Sequence, residues 1–442
     1  MHGTAPSMTA TMAGFAAETT AAPETALAIM RLSLLDWLAV ALAGRDEPVS
    51  RIVRDMAASE AGAAEAGVIG LEARLPARAA ALVNGTTSHA LDYDDTHFAH
   101  IGHASAAVVP AALAVAEKTG ASGQAALTAA LIGAEAACRI GVWLGRSHYE
   151  QGFHQTATSG ALGATLAAAR LMGFDVEKTS HALGLATTRA SGLKAQFGTM
   201  GKPYHAGLAA ANGVEAATLA AAGFVSRPDG LECAQGFAAT HAAERNEGAL
   251  NGLGERFLFE EVQHKFHACC HGTHAALEAL IRARDAERLT PEDVTAIAIT
   301  VHPRYLKVCN IPAPTTGLEA KFSYRMTAAM VLAGHDTAAL STFTDRACAE
   351  PALVALRDRV TVETDPAMPE TAAAVRLGRH AGAPIETRFD IADPLPYEAR
   401  EAKVRVKAAS LLGPARAEKI WAAIGEMQAS EAPFALDMFL TP

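Results

Sequence analysis

The chain has 442 residues, half of them hydrophobic and only 5% aromatic, with a formal net charge of −10. That length points to two domains rather than one simple core, and an acidic chain without a basic stripe is a poor partner for nucleic acid. Six cysteines do not make a disulfide framework. No apolar run reaches the roughly 18–20 residues of a membrane span, and residues 1–20 lack signal-peptide regions, so a cytoplasmic protein without a membrane partner is expected.

Alanine dominates the composition, and it is the strongest helix former, so a mainly α fold is expected. Pro23 opens a helical pattern that runs to Gly44. The segment 91–103, LDYDDTHFAHIGH, then sets Asp92, Asp94, Asp95, His97, His100 and His103 between two apolar stretches. Helical patterns resume at 104–118 and 123–142, joined by the turn TGASG, and continue at 156–172, 176–190 and 203–222. Past residue 262 the character changes. Residues 294–302 alternate apolar and polar with β-branched residues, as a half-buried strand does, and 359–365 do the same. AAAVRLG and IETRFD, separated by a Gly- and Pro-containing loop, form a hairpin pattern. Helices are expected at 272–286 and 317–333, and again over 397–427. The expected architecture is a large all-helical domain built from 1–262 and 395–442, with a smaller α+β domain over 263–394.

Five motifs carry the chemistry. Buried titratable groups cost free energy unless paired, so six of them in 91–103 imply either a solvated loop or a proton-transfer site. GFHQTATSG puts His154 ahead of a small-residue helix that Thr156 or Thr158 can cap, and RSHYE before it adds Arg146, His148 and Tyr149. TMGKPYHAG frames Lys202 with glycines at a helix start, where a cation is unfavourable unless an anion joins it. KFHACCHGTH carries Lys265, His267, Cys269, Cys270, His271 and His274. Its spacing is wrong for structural zinc, and it reads as proton-transfer groups at a helix start, near a domain seam where ligand pockets form. AKFSYRM brings Lys321, Tyr324 and Arg325 together, and an arginine there can clamp a carboxylate. Neither a cofactor loop nor a convincing metal site appears; a metal on Asp92, His97 and His103 is a minor alternative.

NGTTSHALDYDDTH with GHAS, GFHQTATSG, TMGKPYHAGLAAANG, KFHACCHGTH and AKFSYRM, in that order and spacing, resemble the MmgE/PrpD family over nearly the whole chain. The resemblance implies a cofactor-independent, usually dimeric enzyme with a large helical domain and a smaller α+β domain. It places functional roles on Asp92, Thr96, His103, His154, Lys202 and Lys265. Cys270 stands where the family's decarboxylases have histidine, with His271 next to it, and Met326 stands where an aromatic is expected.

What remains matched is proton transfer next to a carboxylate of a small di- or tricarboxylate. Catalytic roles are expected for Asp92, His103, Tyr149, His154, Lys202, Cys270 and His271, and substrate contacts for Thr96, Lys265, Tyr324 and Arg325. His97 and His100 have no matched role and are expected to tolerate substitution better than His103. A hydro-lyase resembling 2-methylcitrate dehydratase is the first expectation. An epimerase of a dicarboxylate such as iminodisuccinate is the second, and a non-catalytic carboxylate-binding protein or a metal hydrolase is more remote.

Overall fold

The structure, a computed structural model, describes residues 7–440. The first six residues, part of the stretch read as lacking a signal sequence, and the last two lie outside them. The protein is 59% helical, so it is mainly α. It divides into two compact units, 1–264 with 412–442, and 265–411.

The first unit opens with helices α1 (Met8–Glu18), α2 (Glu24–Gly44) and α3 (Pro48–Glu60), then a hairpin of β1 (Ala66–Val68) and β2 (Leu71–Leu75). Six further helices follow: α4 (Ala77–His89), α5 (Ala104–Thr119), α6 (Gly123–Gln151), α7 (Gln155–Leu171), α8 (Val176–Thr187) and α9 (Gly201–Ala221). Ser122 and Asp175 cap α6 and α8 by accepting from Ala125 N and Lys178 N, the expected N-cap chemistry. The small residues set the spacing. A Cβ on Gly85 of α4 would lie 2.8 Å from Gly207 Cα of α9, so these two helices meet backbone to backbone. That contact sets the end of α4, with His89, near the start of α9, with Lys202.

Two helices differ from expectation. α2 and α6 are long and apolar enough by composition to cross a membrane, whereas the sequence reading found no such run. Their most apolar windows are 78% and 83% buried within the protein, the placement of core helices. α6 also continues past residue 142 to Gln151, with a non-helical Gly145 (φ 75°) inside it. At its centre Arg139 and Glu135, both fully buried, pair at 2.5 Å. Arg139 donates further to the carbonyls of Ala249, Asn251 and Arg256, and Glu135 accepts from Phe259 N. This pair ties the irregular stretch 249–259 to α6.

The second unit is built on a four-stranded sheet of order β4-β3-β5-β6, with β3 Val294–Val301, β4 Val360–Thr364, β5 Ala372–Arg379 and β6 Ile385–Asp390. β3 pairs parallel with β4 and antiparallel with β5, and β5–β6 is the expected hairpin. Helix His271–Glu287 packs on β5 and β6. The single helix expected over 317–333 is two, Gly317–Ala320 and Tyr324–Leu332. The break is local: Ser323 accepts from Met326 N and so caps a new helix. Helix Tyr397–Leu412 falls within the second unit up to residue 411, so the change of unit comes near 412, not 395.

Candidate active site

In the first unit the chain passes from α4 to α5 through residues 90–103, and the loop is tied down at several points. His97 and Gly102 exchange backbone hydrogen bonds across its tip. Thr96 does the same with Gln263, at 2.8 and 2.7 Å. The backbone N–H of His103 donates to Thr156 Oγ1 at 3.0 Å. Asp92 holds a left-handed backbone (φ 49°), a conformation that aspartate tolerates better than most residues. Asp94, Asp95, His97 and His100 are at most 1% exposed, so this is no solvated loop.

The buried charges converge on Asp94. Its Oδ1 accepts from His89 Nδ1 at 2.8 Å. Its Oδ2 lies 3.0 Å from His103 Nδ1, in a bent approach short of a linear hydrogen bond. The rings of His89 and His103 meet edge to face with centroids 4.5 Å apart. On the far side of His103, Nε2 lies 3.6 Å from Asp92 Oδ1, and that same oxygen receives Lys202 Nζ at 2.7 Å. The anion expected beside the Gly-framed lysine is therefore, in the free protein, the chain's own Asp92.

Burial decides the ionisation of this centre, because desolvation disfavours charge. It pushes His103 down to about 4, with Asp94 opposing and His89 and Lys202 assisting. Burial and then Lys202 hold His154 well below the ordinary histidine range, and burial lowers His205 too. Burial pushes Asp94 up, but His89 and His103 outweigh it and hold that carboxyl well below its usual range. Asp95 behaves oppositely. Burial and the neighbouring Asp36 raise it to about 7, although Ser105 Oγ donates to it at 2.6 Å. At neutral pH His103, His154 and His205 are therefore neutral and Asp94 is ionised.

His154 caps α7 by position, but no side-chain bond caps that helix. Thr156 and Thr158, the expected caps, serve His103 N and His148 Nε2 instead. His154 Nδ1 lies 3.1 Å from His205 Nδ1, and its ring packs edge-on against Phe197. Phe197 also lies under the Lys202 ammonium, 5.5 Å from centroid to Nζ. Tyr149 is engaged by Lys194, whose Nζ sits 3.7 Å from the ring centroid and donates to the Tyr149 carbonyl.

His97 and His100, expected to tolerate substitution better than His103, are buried and bonded. His97 Nε2 meets the Leu258 carbonyl at 2.8 Å, and His97 Nδ1 accepts from His100 N. His100 Nε2 meets Ser159 Oγ at 2.7 Å, and its ring occupies the space a Cβ on Gly141 would need. Both are packed framework residues, so replacing either disturbs the loop that carries His103.

The second unit gathers the other expected residues by itself. Cys270 stands at the N-cap position of helix His271–Glu287 without a side-chain bond to it, and its N–H donates to the Lys321 carbonyl at 2.9 Å. The Cys270 thiol and burial hold the Cys309 thiol well above its usual range. His271 packs on His274, which packs on His267, and His267 lies 3.5 Å from Glu278. Lys265 is buried, and burial pushes the Cys269 thiol up to about 12. Tyr324, expected to touch substrate, is fully buried and donates its hydroxyl to the Gly272 carbonyl at 2.7 Å. It braces the helix start. Arg325 is partly exposed, whereas Met326 is buried in the interior.

His89, Asp92, Asp94 and His103 offer ligand atoms within 4.8 Å of one another. They do not fit a resident cation. His89 and His103 both turn Nδ1 to Asp94, and the Lys202 ammonium already fills the cation's place at Asp92. The residues the sequence reading missed here are Asp94 as a pairing group, His89 and His205. All three lie inside the quoted motifs, and the density of polar groups was the signal available for them.

Sequence models described as the MmgE/PrpD N-terminal domain and the MmgE/PrpD C-terminal domain match residues 10–247 and 267–424. A cis-aconitate decarboxylase-like protein, oryM, of Aspergillus oryzae is 31% identical over 264 residues, 56% of this chain and 55% of that protein. A cis-aconitate decarboxylase of Aspergillus terreus is 31% identical over 275 residues, 58% of this chain and 56% of the relative. The human cis-aconitate decarboxylase is 30% identical over 305 residues, 66% of this chain and 63% of the relative. The chain spans somewhat over half the length of the curated relatives it matches.

Proposed function

The chain belongs to the MmgE/PrpD family, and we propose that it is an enzyme transferring a proton at a carbon next to a carboxylate of a small di- or tricarboxylate. The observation that carries this reading is the His103 imidazole set 3.6 Å from Asp92 Oδ1, the oxygen that receives Lys202 Nζ at 2.7 Å, with burial pushing His103 down to about 4. Removing a proton beside a carboxylate places charge on the carboxylate oxygens, so the reaction needs a base and a fixed cation. His103 supplies the base at Nε2. Lys202 supplies the cation: the substrate carboxylate takes the place Asp92 holds in the free protein, and the ammonium stabilises the enolate as it forms. His154 and His205 form a further pair of neutral imidazoles near the same lysine. Lys265, Cys270 and His271 are the second unit's candidates for substrate binding and proton transfer.

Neutral bases favour abstraction as the opening step, which supports a hydro-lyase. In that reaction the C–O bond of the substrate's hydroxyl breaks once the carbanion has formed, and the proton taken up by His103 goes to the departing oxygen, which leaves as water. The relatives' names favour a second reading, decarboxylation of cis-aconitate. There the carbanion forms by loss of CO₂ and must then be protonated.

The deciding experiment incubates the protein with 2-methylcitrate, citrate, cis-aconitate and iminodisuccinate in D₂O and follows each by NMR and mass. Loss of water supports the hydro-lyase, and loss of CO₂ supports the decarboxylase. Deuterium entry with neither loss supports an epimerase. Tight binding of a carboxylate without exchange or turnover contradicts an enzymatic role.

A further inference from the structure

Asp94 and His89 lie inside the polar motif NGTTSHALDYDDTH, and Asp92 rather than either of them meets Lys202. Asp94 is buried behind His103 and turns one oxygen to each of two imidazoles, hydrogen-bonded to His89 at 2.8 Å and 3.0 Å from His103 Nδ1 in the same bent approach. His89 ends α4, whose backbone contact with α9 fixes it in place. His89 is itself fully buried, and its Nε2 has no hydrogen-bond partner among the described residues. A buried polar atom without a partner costs free energy, so the arrangement calls for a role beyond packing.

We propose that Asp94 and His89 are positioning residues that act through His103: Asp94 holds the proton of His103 at Nδ1, leaving the Nε2 lone pair toward Asp92 and Lys202, and His89 shares the Asp94 carboxylate. The inference rests on His103 as the base. A carboxylate devoted to one imidazole raises that imidazole's affinity for a second proton, and a base that is already protonated is idle. Dividing the carboxylate between two imidazoles keeps the orienting contact and weakens this side effect. The groups facing His103 fit this reading from every side. Asp94 in the loop attracts a proton to it, and Asp92 lies 3.6 Å from its Nε2. His89 from α4 and Lys202 from α9 repel one. His100 in the same loop and His154 from α7 are lowered partly by His103 itself.

The test reads His103 directly and needs no substrate. Ring ¹⁵N NMR of the full chain, with the His103 signals assigned by a His103→Gln variant, gives its tautomer and its titration midpoint. The wild type is expected to carry the neutral-state proton at Nδ1. His89→Phe keeps a ring and removes the donor, so the midpoint should rise by about one unit or more. His89→Asn still donates to Asp94 and should raise it less. Melting curves check that each variant folds, and if His89→Phe fails to fold, the His89→Asn midpoint decides. A midpoint unmoved in the folded variants, or a wild-type proton at Nε2, overturns the proposal. A shifted midpoint in a protein inactive on every carboxylate tried would remove the catalytic reading and leave the His89–Asp94 coupling standing.

Discussion

Replacing Asp95 with asparagine should make the protein more stable at pH 8 than the wild type. Asp95 is 1% exposed, lies next to the equally buried Asp36, and is raised from 3.8 to about 7. A carboxyl with a raised folded-state value binds its proton more tightly folded than unfolded. It contributes stability fully below about pH 4, and that stability drains away as pH climbs to about 7. The gap of roughly three units at 1.36 kcal/mol each is worth about 4 kcal/mol in full, of which about 2.5 kcal/mol falls between pH 5 and pH 8. The asparagine amide mimics the protonated carboxyl, accepting from Ser105 and offering an N–H toward Asp36, but it does not titrate. In a unit of roughly 300 residues, unfolding entropy near 0.6 kcal/mol/K turns that difference into about 4 °C. Calorimetric melts of both proteins at pH 5 and pH 8 measure it. The wild type minus variant difference in Tm should fall by about 4 °C from the lower pH to the higher. A difference that stays flat, or that moves toward the wild type with rising pH, would refute a raised Asp95.

Other outcomes follow from the same geometry. Lys202→Ala should lower kcat/KM at least 100-fold on the true substrate, the scale of losing one preorganised charge contact, and full activity in steady-state assays would contradict its role. Because burial pushes His103 to about 4, the acid limb of the kcat/KM profile should lie near pH 4–5 and the profile should be level to neutrality. A limb at 6.5 would show an ordinary, solvated histidine. Gly141→Ala should cost about 1–3 kcal/mol by driving a methyl into the His100 ring, read as a lower urea midpoint. Arg139→Met leaves Glu135 buried without its cation and frees the 249–259 carbonyls, a loss of about 3–5 kcal/mol. Limited proteolysis should then cut within 249–259.

Much of the fold was legible because periodicity and composition carry it. Helices α5, α7, α8, α9 and His271–Glu287 and the strands β3 to β6 lie within a few residues of their sequence-based ranges, whereas α6 runs on to Gln151 and the helices expected over 317–333 and 397–427 are each broken in two. α1, α3, α4 and the β1–β2 hairpin were not read, since 77–89 mixes Ala with Asn, Gly, Thr and Ser and so hides its period. The membrane-like character of α2 and α6 was missed because single polar residues such as Asp36 and Glu135 interrupt the apolar runs without lowering their mean hydropathy enough. At the site, Asp92, His103, His154 and Lys202 were legible as residue types, and the structure brings them together. Which carboxylate holds which imidazole was not, because a loop's register decides it. Asp94 and Asp95 are neighbours in sequence that shift in opposite directions: burial pushes both up, two imidazoles overturn it at Asp94, and Asp36 adds to it at Asp95. Tyr324 shows the reverse error: a polar group in a suggestive motif whose hydroxyl is spent on a backbone carbonyl.

The central claim is that His103 takes a proton from carbon beside a carboxylate held by Lys202. The most direct measurement is the rate of solvent deuterium exchange into the substrate's α-carbon, or of product formation where exchange is masked, in the wild type and in His103→Gln. The variant should fold with a near-native Tm and lose 10²–10⁴-fold in rate, the usual worth of a positioned general base. A folded His103→Gln protein working at the wild-type rate would contradict the account.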